Sequence, residues 1–149
     1  MATQNTQALS RQLVSVGEDP DNFAGEFERW KALGSAGEYA SYLFGKDGAY
    51  VAPPVNGVSN VLRHVHLVPL ADPPALRRWN LQWRHRSRKV SDRALVYASD
   101  PTHGHLLIYI LKEPDAHMVP RMATDDHRVL MLKLARIAEA FVLRGAVIG

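Results

Sequence analysis

Residues 94–112, ALVYASDPTHGHLLIYILK, hold two apolar runs around a short polar segment. ALVYA (94–98) and HLLIYILK (105–112) are rich in β-branched and aromatic residues, and SDPTHG (99–104) supplies the Asp, Pro and Gly of a hairpin connection. Together they predict two adjacent antiparallel strands. In the second run Leu106, Ile108 and Ile110 fall on one face at a period of two, Lys112 extends their row, and Pro114 stops the strand.

Upstream, VLRHVHLVPL (61–70) predicts a third strand over 61–68. Alternation sets Val61, Arg63, Val65 and Leu67 on one face and Leu62, His64, His66 and Val68 on the other. Between the strands, residues 69–93 read as an irregular basic insertion in which Pro69, Pro73 and Pro74 break the chain. Trp79 and Trp83, four apart, suggest a helical turn with both rings on one side. The stretch 45–60, GKDGAYVAPPVNGVSN, reads as loop from its Gly, Pro and Asn.

The flanks are helical. Asp19 or Asp21 caps a helix whose Phe23, Phe27 and Trp30 recur at helical spacing, with Gly34 as terminator. A second short helix follows at 36–44. Residues 8–16 read as a weak first strand within a weakly ordered lead-in (1–20). At the other end Thr124 caps a helix with Asp125 and Asp126 in its first turn and Leu130, Leu134, Ile137, Ala138 and Phe141 as its buried stripe, and Gly145 ends it. The order predicts one α+β domain over residues 1–149. It has a small antiparallel sheet, two N-terminal helices and one C-terminal helix, with one sheet face covered and the other open for binding.

Composition bounds the function classes. The 149 residues are 46% hydrophobic and 22% charged, ordinary for a soluble globular chain, and they contain no cysteine, which excludes disulfides and thiolate chemistry. No run approaches the roughly 20 apolar residues that span a bilayer, and the opening MATQNTQALSRQ lacks a signal-peptide core. A cytoplasmic protein is expected. Charge is uneven beneath a net +3: residues 1–50 carry four Lys/Arg against seven Asp/Glu, whereas 61–93 carry eight against two. The basic middle suits a polyanion.

Three chemistries fit the histidine strand. His64 and His66 have the spacing of two metal ligands, with His103, His105 and His117 as further candidates, but the 103–105 pair sits at the opposite end of its strand from Lys112 and His117. Imidazoles near neutrality also serve as acid and base, and beside a cation they cleave RNA through its 2′-hydroxyl without metal or cofactor. Third, a strand histidine is ordinarily a partly buried, hydrogen-bonded residue. Spacing alone leaves these open.

Six blocks add a resemblance: FERWKALG (27–34), LFGKDGAY (43–50), VLRHVHLVPL (61–70), SDRALVYAS (91–99), LLIYILKEPDAH (106–117) and LARIAEAF (134–141). In this order they resemble the YafO family of bacterial type II toxins. The resemblance implies a ribosome-dependent mRNA endonuclease that inhibits translation and is neutralised by a cognate antitoxin, so the expected partners are the antitoxin, the ribosome and mRNA. The element order is similar to that of RelE-like toxins, which implies the same α+β architecture. His64, His66, Tyr97, Lys112 and His117 match the family pattern. The expected roles are His64 or His66 as general base, His117 as general acid, Lys112 stabilising the phosphorane and Asp92 orienting an imidazole. Arg63, Arg84, Arg86, Arg88 and Lys89 are expected to bind RNA, and Tyr97 to stack on a base or position a phosphate. The alternative is a non-catalytic inhibitor that binds RNA or the ribosome through the same basic surface.

Overall fold

A computed structural model describes residues 1–149. The anticipated hairpin is present as β4 (Ala94–Asp100) and β5 (Gly104–Leu111), with β3 (Arg63–Leu67) antiparallel against β4 so that His64 lies opposite Val96 and His66 opposite Ala94. Two strands were not anticipated. β2 (Phe44–Ala49) pairs with β3 inside the stretch read as loop, and β1 (Thr3–Asn5) runs parallel to β5. The sheet is therefore mixed rather than antiparallel, in the order β1-β5-β4-β3-β2.

The glycine of β2 explains the misreading. A Cβ on Gly45 would lie 2.2 Å from the Lys89 carbonyl oxygen, while the Lys46 N–H donates to that same oxygen at 2.9 Å. Glycine stands there because another backbone approaches closely, not because the chain turns.

Three further expectations are corrected. Residues 8–16 are helical: α1 spans Gln7–Ser15, Thr6 accepts the Leu9 N–H as its cap, and Leu9 and Leu13, four apart, are fully buried. The insertion at 69–93 contains α4 (Pro73–Arg84); Pro73 and Pro74 occupy its first turn, where a missing N–H costs nothing, so they start a helix rather than break the chain. The expected second helix shrinks to α3 (Gly37–Ala40), because Phe44 is drawn into β2. α2 (Pro20–Ala32), capped by Asp19, and α5 (Asp125–Arg144), capped by Thr124 and closed by Gly145 at φ 67°, follow their sequence signals.

Both faces of the sheet are covered, not one. α1 and α2 pack Leu9, Leu13, Phe23 and Phe27 on Val65, Leu95, Tyr97, Leu107 and Ile110. On the opposite face α5 packs Met131, Leu134, Ala138 and Phe141 on Val96, Ala98, Leu106, Ile108 and Leu111. Residues of β5 change sides because its register slips by one: Val96 pairs with Tyr109 but Tyr97 with Leu107, leaving Ile108 as an extra residue. Leu106 and Ile108 thus face α5, whereas Ile110 faces α1 and α2. A one-residue slip reverses every later side chain, so Lys112 does not continue the Leu106–Ile108 row.

Candidate functional site

β3 presents His64 and His66 on the α5 side of the sheet, beyond the area that α5 itself covers. The segment after β5 crosses there and closes a cleft of about 170 Å³. Tyr50, His64, His66, Ser91, Ala116 and His117 line it. Asp92 stands behind His117, next to Ser91 in the chain.

Each imidazole is held differently. The His64 ring stacks on Tyr50, with centroids 4.2 Å apart and planes 12° from parallel, and its Nδ1 is buried without a partner. Burial first, then the neighbouring His66, Arg63 and Lys46 charges, push its pKa down to about 4, so it is neutral at pH 7. His66 is also lowered, by burial and then by the Lys46 ammonium. Its Nδ1 accepts the Ser91 backbone N–H at 2.9 Å. An acceptor nitrogen carries no proton, so neutral His66 carries its proton on Nε2 and presents a donor to the cleft.

His117 is the mirror case. Its Nδ1 meets Asp92 Oδ1 at 2.5 Å, and its backbone N–H donates to the same oxygen at 3.2 Å. A carboxylate only accepts, so Nδ1 carries a proton, and the neutral form of this largely exposed ring has its lone pair on Nε2. The turn at 91–92 sets both tautomers at once. It is itself braced: Ser91 Oγ donates to the Leu67 carbonyl at 2.5 Å and accepts the Arg93 N–H at 3.2 Å.

Of the residues singled out from sequence, His64, His66, Asp92 and His117 come together. Lys112 does not. Past the Ile108 bulge it turns toward α1 and lines a separate depression with Gln12, Val16 and Arg93. The cation that both β3 rings feel is Lys46, at the irregularity in β2.

The expected RNA-binding residues also disperse. Tyr97 is fully buried under α2, where its hydroxyl donates to Asp47 at 2.6 Å and accepts from Lys31 at 2.8 Å and Arg63 at 3.1 Å, so its ring has no free face for a base. Arg63 joins this network on the face opposite the histidines, 3.3 Å from Asp47. Lys89 is fully buried, its ammonium donating to the Glu38 carbonyl at 2.8 Å above the Trp79 and Trp83 rings. Trp79 is core and Trp83 half-buried. Arg88 pairs with Glu38 at 3.0 Å, and Arg84 and Arg86 flank Tyr39 near the end of α4, away from the cleft.

The second H-x-H pair splits apart. The His103 backbone N–H donates to Asp100 at 2.9 Å and its ring packs on Phe141 of α5, whereas His105 Nδ1 hydrogen-bonds Ser99 Oγ at 2.6 Å and its ring packs on Phe27 of α2. Sequence reasoning missed Tyr50, Lys46 and the backbone of Ser91. Tyr50 and Lys46 carry no signal without β2, and a backbone N–H carries none at all.

The family model described as Toxin YafO, type II toxin-antitoxin system, matches residues 28–143. No curated protein and no solved structure matches significantly.

Proposed function

The chain belongs to the YafO toxin family of type II toxin–antitoxin systems, and from that premise we propose that it arrests translation by cutting ribosome-bound mRNA in the histidine cleft. Family membership implies an antitoxin partner; the ribosome and its message are the partners this proposal adds. The site of action is then the cytoplasm, and no helix is long and apolar enough to cross a membrane. The likeness to RelE-like toxins stays part of this proposal: α1 and α2 before the β2–β5 strands and α5 after them support it, while β1 and α4 lie outside the order expected.

The observation that carries the proposal is the opposed pair of tautomers. His117, oriented by Asp92, offers a lone pair at Nε2, and His66, oriented by Ser91, offers a proton at Nε2. In the proposed step His117 takes the proton of a 2′-hydroxyl as that oxygen attacks phosphorus. The P–O5′ bond breaks, a 2′,3′-cyclic phosphate forms, and the 5′-oxygen leaves with a proton from the Lys46 ammonium. His66 Nε2–H donates to a non-bridging oxygen as its charge grows.

These proposed roles differ from those anticipated: His117 is the base rather than the acid, Lys46 supplies the acid, and His66 takes the charge-stabilising role expected of Lys112. A ring whose Nδ1 is occupied by a backbone donor cannot become an imidazolium without losing that bond, and a ring whose pKa is near 4 is a weak base. His64 instead forms the floor of the cleft with Tyr50.

Expression of the protein with primer extension on a reporter mRNA, with and without its start codon, tests the reading. Cleavage confined to the translated message is expected, with His117→Ala inactive and Lys112→Ala active. Growth arrest without cleavage would make the protein a non-catalytic translation inhibitor. Equal cleavage of both messages would remove the ribosome from the mechanism.

A further inference from the structure

The cleft does not end at His117. A second depression of about 340 Å³ shares Ser91, Asp92 and His117 with the site and runs beneath the first turns of α4. Asp72, Ala75, Arg78, Val90, Glu113 and Pro114 complete its walls. Its charged groups differ in availability. Asp92 is committed to His117, and Glu113 accepts the Leu70 and Ala71 N–H groups at 2.6 and 3.1 Å. Arg78 is exposed and forms none of the chain's ion pairs. Asp72 precedes α4 but its side chain makes no capping bond. Beside them Val90, 43% exposed, and Pro114 offer an apolar wall.

A free guanidinium, a free carboxylate and an apolar wall, all continuous with a proposed RNA-cleaving centre, match the parts of one nucleotide. We propose that this depression is the subsite for the nucleotide on the 5′ side of the cleaved bond. Arg78 holds its phosphate, Val90 and Pro114 carry the base, and Asp72 accepts from an exocyclic amino group. Adenine, cytosine and guanine carry such a group and uracil does not, so the subsite disfavours uracil. Placing this nucleotide on the 5′ side follows from His117 as the group that meets the 2′-hydroxyl. The inference therefore rests on the nuclease reading above.

The test maps cleavage sites by primer extension over translated reporters that vary at this one position, comparing wild type with Asp72→Ala, Arg78→Ala and Arg78→Lys. Neither residue makes a bond that its removal would break, and thermal melting checks each variant's fold. The expected result is that wild type avoids uracil, Asp72→Ala admits it, and Arg78→Ala cleaves about tenfold more slowly with partial recovery in Arg78→Lys. Wild-type site distribution and rate in all three variants, with His117→Ala inactive, would overturn the subsite and leave the nuclease reading standing. Absence of cleavage by wild type would overturn both.

Discussion

His64 shows how one residue ties the site to stability. Its folded pKa of about 4 lies below the ordinary 6.5, so the folded state favours the neutral ring. That contribution is fully present above pH 6.5 and is lost as pH falls toward 4, up to roughly 3 kcal/mol over the interval. His66 and His105 shift in the same direction, both chiefly through burial. Thermal midpoints should therefore fall between pH 6.5 and 4, and less steeply in His64→Gln. Parallel slopes for variant and wild type would show that His64 is not the group responsible. Tyr97 teaches the converse lesson. A tyrosine ending a strand next to a basic segment invites a nucleic-acid role, but here the ring is core and its hydroxyl serves Asp47, Lys31 and Arg63.

Among the elements, β2 does the most to shape the site while announcing itself least. It leads Tyr50 onto the His64 ring and carries the Lys46 charge that lowers both β3 histidines, and it passes so close to the chain at Lys89 that only glycine fits at 45. Gly45→Ala should destabilise the protein by about 1–3 kcal/mol through overpacking against that carbonyl, read by thermal or urea denaturation. An unchanged midpoint would mean that β2 shifts freely. α4 matters for a related reason: its buried Trp79 donates to the Tyr42 carbonyl at 2.9 Å and anchors the segment between β3 and β4. The basic residues around it are partly spent on that anchorage, as Lys89 shows, so charge in the sequence overstates the charge left at the surface for a polyanion.

At the scale of the molecule, the family match begins at residue 28, yet the fold depends on what precedes it. β1 completes the sheet beside β5, Thr6 Oγ1 donates to the Ile108 carbonyl at 2.6 Å, and α1 buries Leu9 and Leu13 over Leu107 and Ile110. Each such side chain stabilises by about 1.5–3 kcal/mol, against a typical net stability of roughly 5–15 kcal/mol. A chain lacking residues 1–16 should lose its cooperative melting transition and aggregate, as circular dichroism and size-exclusion chromatography would report. A soluble truncated chain with the native midpoint would contradict the packing described.

Much of the fold was legible in the residues themselves. The apolar, β-branched runs at 61–68, 94–98 and 105–112 mark strands, and Asp19, Thr124 and Gly145 mark helix ends, because local composition and capping act over a few neighbouring residues. The blocks from FERWKALG to LARIAEAF carry the family. His64, His66, Asp92 and His117 also stand out as candidates by residue type and position. What each of them is equipped to do was decided by tertiary structure. Ser91 reaches His66 across 25 positions and Asp92 reaches His117 across another 25, and these bonds, not the spacing of the histidines, determine which nitrogen holds a proton. The same holds for Lys112, which one extra residue in β5 turned away from the site. Strand register is settled by what two strands bury together, and a single strand read alone cannot contain it.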